Sequence, residues 1–337
     1  MEAFAAPDSS QNLTPSPSFR YPHALSPVAP SVGTGLGPGT TSRQQSSVST
    51  DCVSARSSVC ENFNYIPMIV TTNGSQTGFR KVYTGLRGNL DNHSSTYGLT
   101  FIWESVTQSG VIPAAAKIVQ FTLTQKGRSG MPDQALQTIN VDTSKTGTYG
   151  YTFNVNPSQL AGSAGQYYET HVKFYWPGGN QNTTVEYDSS YTQIRCDNAV
   201  EVNYGSGCVN VDWRPTLDFA QANYPKVAEN ITLGQAATGL GIKDQTPLTR
   251  TTPLQALNNR NFTCSEARKA AMIGPKPYEG AECDEYPFAS TAEGGTENTR
   301  IMWVPGVEEN RAQGQDLLGY YRSLRIMAGD PYYVRII

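Results

Sequence analysis

The chain has 337 residues, of which 38% are hydrophobic and only 16% are charged, and its formal net charge is -3. This near-neutral balance excludes a globally basic coat protein for nucleic acid. No apolar run reaches the length of about 20 residues that crosses a bilayer, so we expect no membrane span. At about 150 residues per domain, the length predicts two folded units.

The cysteines indicate the compartment. The 6 cysteines fall into three sequence-local pairs, which favours the disulfides Cys52–Cys60, Cys196–Cys208 and Cys264–Cys283. Other connectivities stay open, because the sequence alone does not choose among them. Metal-bound thiols are disfavoured, since the chain has no CxxC motif and none of its 3 histidines lies near a cysteine pair. Together with several Asn-x-Ser/Thr sequons, the pairs predict a secreted protein from which a signal peptide has been removed.

Residues 1–58 are rich in Ser, Thr, Pro and Gly and lack a periodic apolar pattern. Such a segment buries too little apolar surface to offset the entropy of the chain, so we predict that it is disordered. A mucin-like stalk and a removable pro-segment are both open interpretations.

Residues 59–208 consist of short β-branched and aromatic runs between turn clusters. Val119, Phe121 and Leu123 alternate with polar neighbours, which is the period of two typical of half-buried strands. About seven or eight strands at this spacing predict an antiparallel β-sandwich of the Ig-like type. Trp103 and Trp176 are candidates for stacking on a glycan, although a core position is the more common role of a lone tryptophan in a strand.

Residues 209–337 differ from the preceding region, because they show helical patterns between short strands. The chain as a whole is therefore predicted to be α+β. The strongest helix is predicted from Leu317, Tyr321 and Leu324, which recur at spacings of three and four. In chain order, the predicted elements are a helix that begins near Tyr224, a long loop over 240–260, a short helix over 265–274, a long helix over 310–327 and a closing strand over 332–337.

Two stretches of this last region concentrate polar groups beyond what folding requires. The candidate site residues are Asp284, Glu285, Glu309, Asn310, Arg311 and Gln313. Carboxylate and amide oxygens are hard ligands that suit Mg²⁺, Mn²⁺ or Ca²⁺, and an arginine at the start of a helix can bind a phosphate. A solvated acidic surface, with Asn310 as a simple helix cap, is the alternative that the spacing leaves open.

Several ordered blocks of residues 209–337 resemble the signature of the NucA/NucB-type secreted deoxyribonucleases. The blocks are Cys283-Asp-Glu-Tyr-Pro-Phe-Ala-Ser, Glu293-Gly-Gly, Glu309-Asn-Arg-Ala-Gln-Gly and Gly329-Asp-Pro. The resemblance implies a ββα-metal nuclease, in which a β-hairpin presents the general base and the following helix supplies a metal ligand.

Carried onto this sequence, the resemblance implies that Asp284 is the general base and that Glu285 and Arg311 assist catalysis. It implies that Asn310 is a ligand of a divalent ion, Mg²⁺ or Mn²⁺, and Glu309 and Gln313 are further candidate ligands. Some relatives carry a histidine where this chain has Asn230. With an ordinary aspartate pKa of about 3.9, the base would be ionised but weakly basic at neutral pH.

The implied function is a secreted, metal-dependent endonuclease that hydrolyses DNA with little sequence specificity. Residues 209–337 carry 13 basic and 15 acidic side chains, so DNA binding would depend on local contacts and the ion rather than on net charge. The alternative is a non-catalytic extracellular binding or adhesion protein with a degenerate nuclease scaffold. In either case the β-sandwich is a candidate for binding a cell-surface or glycan ligand.

Overall fold

The computed structural model describes residues 54–72, 75–112, 114, 118–127, 134–155, 166–175, 184–199 and 205–337. Cys52, Trp176 and most of the segment predicted to be disordered lie outside the described residues. The described part is a mixed α/β structure with many antiparallel strands and few helices. None of its helices is both long and apolar enough to cross a membrane.

The first half of the described chain folds into two antiparallel sheets. Its strands are β1 (Ser58–Thr72), β2 (Ser75–Asn89), β3 (Thr96–Gly110), β4 (Ile118–Gly127), β5 (Gln134–Asp142), β6 (Gly147–Asn154), β7 (Gln166–Tyr175), β8 (Thr184–Asp197) and β9 (Gly207–Asn210). One sheet has the order β1-β2-β3-β6 and the other has the order β5-β4-β7-β8-β9.

The two sheets share one hydrophobic core. Phe101 of β3 and Phe121 of β4 lie with their ring centroids 4.5 Å apart, and Val119 and Phe121 are both buried, as the period of two predicts. Trp103 is partly buried against this core. A core shared by two antiparallel sheets agrees with the predicted strand pattern, while the Ig-like type stays a prediction.

The second half contains the helices. Its elements are β10 (Thr216–Phe219), α1 (Pro225–Thr238), β11 (Leu248–Thr249), α2 (Pro253–Thr263), α3 (Glu266–Met272), β12 (Ala281–Tyr286), β13 (Arg300–Pro305), a π-helical turn (Gly306–Arg311), α4 (Ala312–Ser323) and β14 (Pro331–Ile336). Strands β10, β14 and β11 form one small sheet, and β12 and β13 form an antiparallel hairpin. The predictions of a helix near Tyr224, a short helix after Ser265 and a closing strand are confirmed.

Two predicted elements are wrong. The long loop predicted over 240–260 contains β11 and most of α2, which begins where the Thr252 side chain accepts a hydrogen bond from the Gln255 N–H and Pro253 occupies the first turn. The long helix predicted over 310–327 is a π-helical turn followed by α4, which ends at Ser323. Arg325 adopts a positive φ of 47°, which a continuing helix would not allow.

Two of the expected disulfides are confirmed. Cys196–Cys208 links β8 to β9, and Cys264–Cys283 links the C-terminal end of α2 to β12. Cys60 is also disulfide-bonded, while its expected partner Cys52 lies outside the described residues.

A buried set of ionic side chains joins the β-rich half to the segment after α4. This junction cluster consists of Arg56, Arg195, Asp197, Arg325 and Asp330, and none of its members is more than 6% exposed. Asp330 Oδ1 lies 2.6 Å from Arg195 Nη1, and Asp330 Oδ2 lies 2.5 Å from Arg56 Nη2. Arg325 pairs with Asp197, the neighbour of Arg195 on β8. The end of α4 is therefore held by residues of the β-rich half, although the hydrophobic residues form two separate main clusters.

Candidate active site

Strand β12 brings three carboxylates to one cavity of about 470 Å³. Glu282, Asp284 and Glu285 line this cavity, which we call the central cavity. Strand β12 pairs with β13 along one edge, and Asp284 lies opposite Met302 in this pairing. The Cys264–Cys283 disulfide also links β12 to the end of α2. The carboxylates therefore project from a constrained backbone.

Asp284 is almost fully buried, with 4% of the residue exposed. Its Oδ2 accepts a hydrogen bond of 2.8 Å from Nδ2 of Asn230 in α1. Burial, together with the neighbouring Glu285 charge, raises the pKa of Asp284 to about 7, and the Asn230 contact and Arg260 only partly oppose this rise. The expectation of an ordinary aspartate pKa is therefore wrong, because water does not solvate this carboxylate.

Glu285 is buried beside Asp284 and is held by an arginine of α2. Arg260 Nη1 lies 2.8 Å from Glu285 Oε1 and 3.0 Å from Oε2, and Arg260 Nη2 donates to the Cys283 carbonyl at 3.1 Å. Burial raises the pKa of Glu285 and the Arg260 charge opposes that rise. The nearby sulfurs of Cys264 and Cys283 do not complete a metal site with Glu285, since a disulfide offers no thiolate.

The π-helical turn places its polar residues against Glu282. Asn310 Nδ2 donates to Glu282 Oε2 at 3.2 Å, and Arg311 donates to Glu282 Oε1 through Nε at 3.1 Å and Nη2 at 2.6 Å. Gly306 allows this approach, because a Cβ there would lie 2.6 Å from Glu282 Cγ. π-Helical turns occur frequently at functional sites, and this one joins the hairpin to α4.

The structure brings five of the six predicted site residues to the central cavity. The five that line it are Asp284, Glu285, Asn310, Arg311 and Gln313. Glu309 lies elsewhere, since its Oε2 accepts hydrogen bonds from the backbone N–H groups of Lys226 at 2.6 Å and Val227 at 3.1 Å. It thus satisfies free donors at the N-terminus of α1, where a negative charge is favoured.

Three residues of the site were missed by the sequence argument. Glu282 shares a strand face with Asp284 by the period of two, and this signal was available in the sequence. Arg260 fell in the segment predicted to be a loop. Asn230 begins an Asn-x-Thr sequon and replaces the histidine of some relatives. It is fully buried against Asp284, so in the folded chain its amide is not an accessible glycan acceptor.

The polar atoms of the site fit a hard divalent ion. Among the described residues, Asn230 Oδ1 and Gln313 Nε2 are buried without a hydrogen-bond partner. Because the two ends of an amide are assigned rather than observed, the Gln313 amide can equally present its oxygen. Amide oxygens beside the carboxylates of β12 form a donor set that suits Mg²⁺ or Mn²⁺.

Comparison with known families finds a match over the C-terminal part of the chain. Residues 237–335 match the model of the family described as Deoxyribonuclease NucA/NucB, which confirms the resemblance over that part of the chain. The matched range includes α2, the β12–β13 hairpin, the π-helical turn and α4, and it excludes Asn230. Neither the curated proteins nor the solved structures gave a match.

Proposed function

We propose that the chain is a metal-dependent deoxyribonuclease that hydrolyses phosphodiester bonds at the central cavity. The observation that carries this proposal is the convergence of Asp284, Asn310 and Gln313 on one cavity within a range that matches a nuclease family. An antiparallel hairpin followed by a helix is also the element order that a ββα-metal nuclease requires.

Asp284 acts as the general base in this proposal. In the metal-free protein, burial raises the pKa of Asp284 to about 7, and a base is most effective when its pKa lies near the working pH. Asn230 fixes the orientation of the carboxylate by its hydrogen bond to Oδ2. The carboxylate accepts a proton from the attacking water and holds it away from bulk solvent.

Asn310 and Gln313, with the carboxylate of Glu282, would hold the divalent ion. When bound, that ion supplies Lewis-acid stabilisation of the charge on the phosphate and the leaving oxygen. In its absence, the amide of Asn310 is oriented by Glu282, so the ligand side chain is already positioned on the π-helical turn.

Arg311 and Arg260 would both contact the phosphate of the substrate. Each arginine lines the cavity and is anchored by an ion pair, Arg311 with Glu282 and Arg260 with Glu285. Contacts of this kind to phosphate oxygens carry no base information, which agrees with cleavage of little sequence specificity. The disulfides agree with secretion.

Plasmid degradation in Mg²⁺ or Mn²⁺, with an EDTA control, tests the proposal. We expect cleavage by the wild type and its loss in Asp284→Asn. The matched control is Glu308→Gln, an exposed carboxylate on the same π-helical turn, which should cleave like the wild type. Lack of cleavage with every divalent ion would overturn the hydrolase and favour the binding protein with a degenerate scaffold; cleavage by Asp284→Asn would overturn the assignment of the base.

A further inference from the structure

A second cavity of about 630 Å³ adjoins the central cavity. We call it the flanking cavity; Arg260 and Glu282 line both cavities. Its other walls come from α3, from the segment after α3 and from the β12–β13 hairpin. The Cys264–Cys283 disulfide also lines it, so its position relative to the catalytic strand is covalently fixed.

An indole ring lines the flanking cavity. Trp303 lies opposite Cys283 in the hairpin, and because side chains alternate along a strand, its ring lies on the other face from Asp284. Its Nε1 donates to the Gly274 carbonyl at 3.2 Å, which fixes the ring. The flanking cavity reaches the central cavity through Glu282 and Arg260, which line both.

The flanking cavity also has one lysine, Lys276, whose charge is not paired with a carboxylate of the described residues. Lys269 lies with its Nζ 5.7 Å from the Trp303 ring centroid, and Lys276 is exposed at the cavity wall. The two acidic residues of the lining are already engaged, Glu266 with Lys269 and Glu282 with Arg311. Among the described residues, Lys276 has no carboxylate partner, so its charge is available to an anion.

We propose that the flanking cavity binds an unpaired nucleotide of the substrate strand beside the scissile phosphate, with its base stacked on Trp303 and a phosphate near Lys276. Aromatic rings combined with cations are the usual means of holding single-stranded nucleic acid, because every base offers a face for stacking. The inference rests on the proposed function and extends it, since it predicts a preference for single-stranded or frayed DNA over fully paired ends.

The kinetic test compares a single-stranded oligonucleotide with bis(p-nitrophenyl) phosphate, a diester that has no neighbouring nucleotide. For Trp303→Leu we expect the ratio of kcat/KM for the oligonucleotide to kcat/KM for the small diester to fall at least about fivefold, through KM. Trp303→Phe, which keeps an aromatic face, should recover most of the ratio. Trp213→Leu, a partly exposed tryptophan outside both cavities, is the matched control and should leave the ratio unchanged.

The charge test uses Lys276→Gln, with the exposed Lys243→Gln as its matched control. Loss of a phosphate contact should reduce the slope of log affinity against log salt by about one for Lys276→Gln only. The affinity of these variants and of Trp303→Leu is measured by fluorescence anisotropy of a labelled oligonucleotide in the Asp284→Asn background, where cleavage is too slow to interfere.

The two readouts separate failure of this inference from failure of the proposed function. If the wild type hydrolyses both substrates but Trp303→Leu and Lys276→Gln behave like their controls, the flanking site is overturned and the nuclease stands. If no substrate is hydrolysed but Trp303→Leu weakens oligonucleotide binding, the nuclease is overturned and the nucleotide site stands.

Discussion

Asp284 in the central cavity and Asp330 in the junction cluster are both buried, yet their pKa values move in opposite directions. Burial raises the pKa of Asp284 to about 7, and a neighbouring carboxylate adds to the rise. Burial would raise the pKa of Asp330 too, but Arg195 and Arg56 hold it below its ordinary value. The partners, rather than burial, decide whether a carboxylate is available for proton transfer or serves only to hold the fold.

The largest expected effect is the loss of activity in Asp284→Asn. The amide keeps the size of the side chain but cannot accept a proton from water, so we expect kcat for DNA cleavage to fall about 10²- to 10⁴-fold. The measurement is single-turnover cleavage at saturating metal. A fall of less than tenfold would mean that another group is the base.

Asp330→Asn should cause the largest loss of stability. It leaves Arg56 and Arg195 buried with one charge partner fewer, and breaking a buried pair in this way costs about 3–5 kcal/mol of unfolding free energy. Urea denaturation measures the loss. Asp218→Asn is the control, because the pair of Asp218 with Arg335 is substantially exposed and should contribute at most about 1 kcal/mol; equal losses in the two variants would contradict the role given to the junction cluster.

In metal-free protein, Asp284→Asn should be more stable than the wild type, and the difference in unfolding free energy should grow as the pH rises. The pKa of Asp284 is raised from 3.8 to about 7 by folding, so the folded state binds the proton more tightly and wild-type stability falls between these pH values. At pH 8 in EDTA, we expect the variant to be more stable than the wild type, by an amount on the order of 2–4 kcal/mol. At pH 3 the difference should vanish; a constant difference at every pH would show that Asp284 does not titrate in this way.

Asn230→Ala should have a smaller effect on catalysis. Removal of the hydrogen bond to Asp284 Oδ2 releases the carboxylate and raises its pKa further, since that contact favours the charged form. We expect kcat to fall about tenfold and the acid limb of the pH–rate profile to move to higher pH. The control is Asn223→Ala, an exposed residue just before α1. A lower kcat with an unmoved acid limb would assign Asn230 a purely structural role.

Local sequence patterns were sufficient to identify part of the central cavity but not all of the residues that form the site. Asp284, Glu285 and Arg311 could be identified because they occur in short blocks, and the period of two identified buried residues such as Phe121. Asn230 and Arg260 were missed because they come from separate helices, α1 and α2, and meet β12 only in the folded chain.

Glu309 is the opposite case, a residue that the sequence predicts in the site and that the structure places outside it. The sequence places it beside Asn310, where a ligand role is a natural inference, but its carboxylate accepts hydrogen bonds from the N-terminus of α1. The junction cluster was also not expected, since its residues lie far apart in the chain and each one by itself looks like an ordinary surface charge. Long-range pairing of this kind is not encoded in any single segment.

The dependence of DNA cleavage on Mn²⁺ concentration in the wild type and in Asn310→Ala tests the central claim most directly. If Asn310 is a ligand of the catalytic ion at the central cavity, the Mn²⁺ concentration that gives half-maximal cleavage should rise at least about tenfold in the variant, while Glu308→Gln follows the wild type. Identical Mn²⁺ curves for all three proteins, or full cleavage in EDTA, would contradict a metal-dependent nuclease at this cavity.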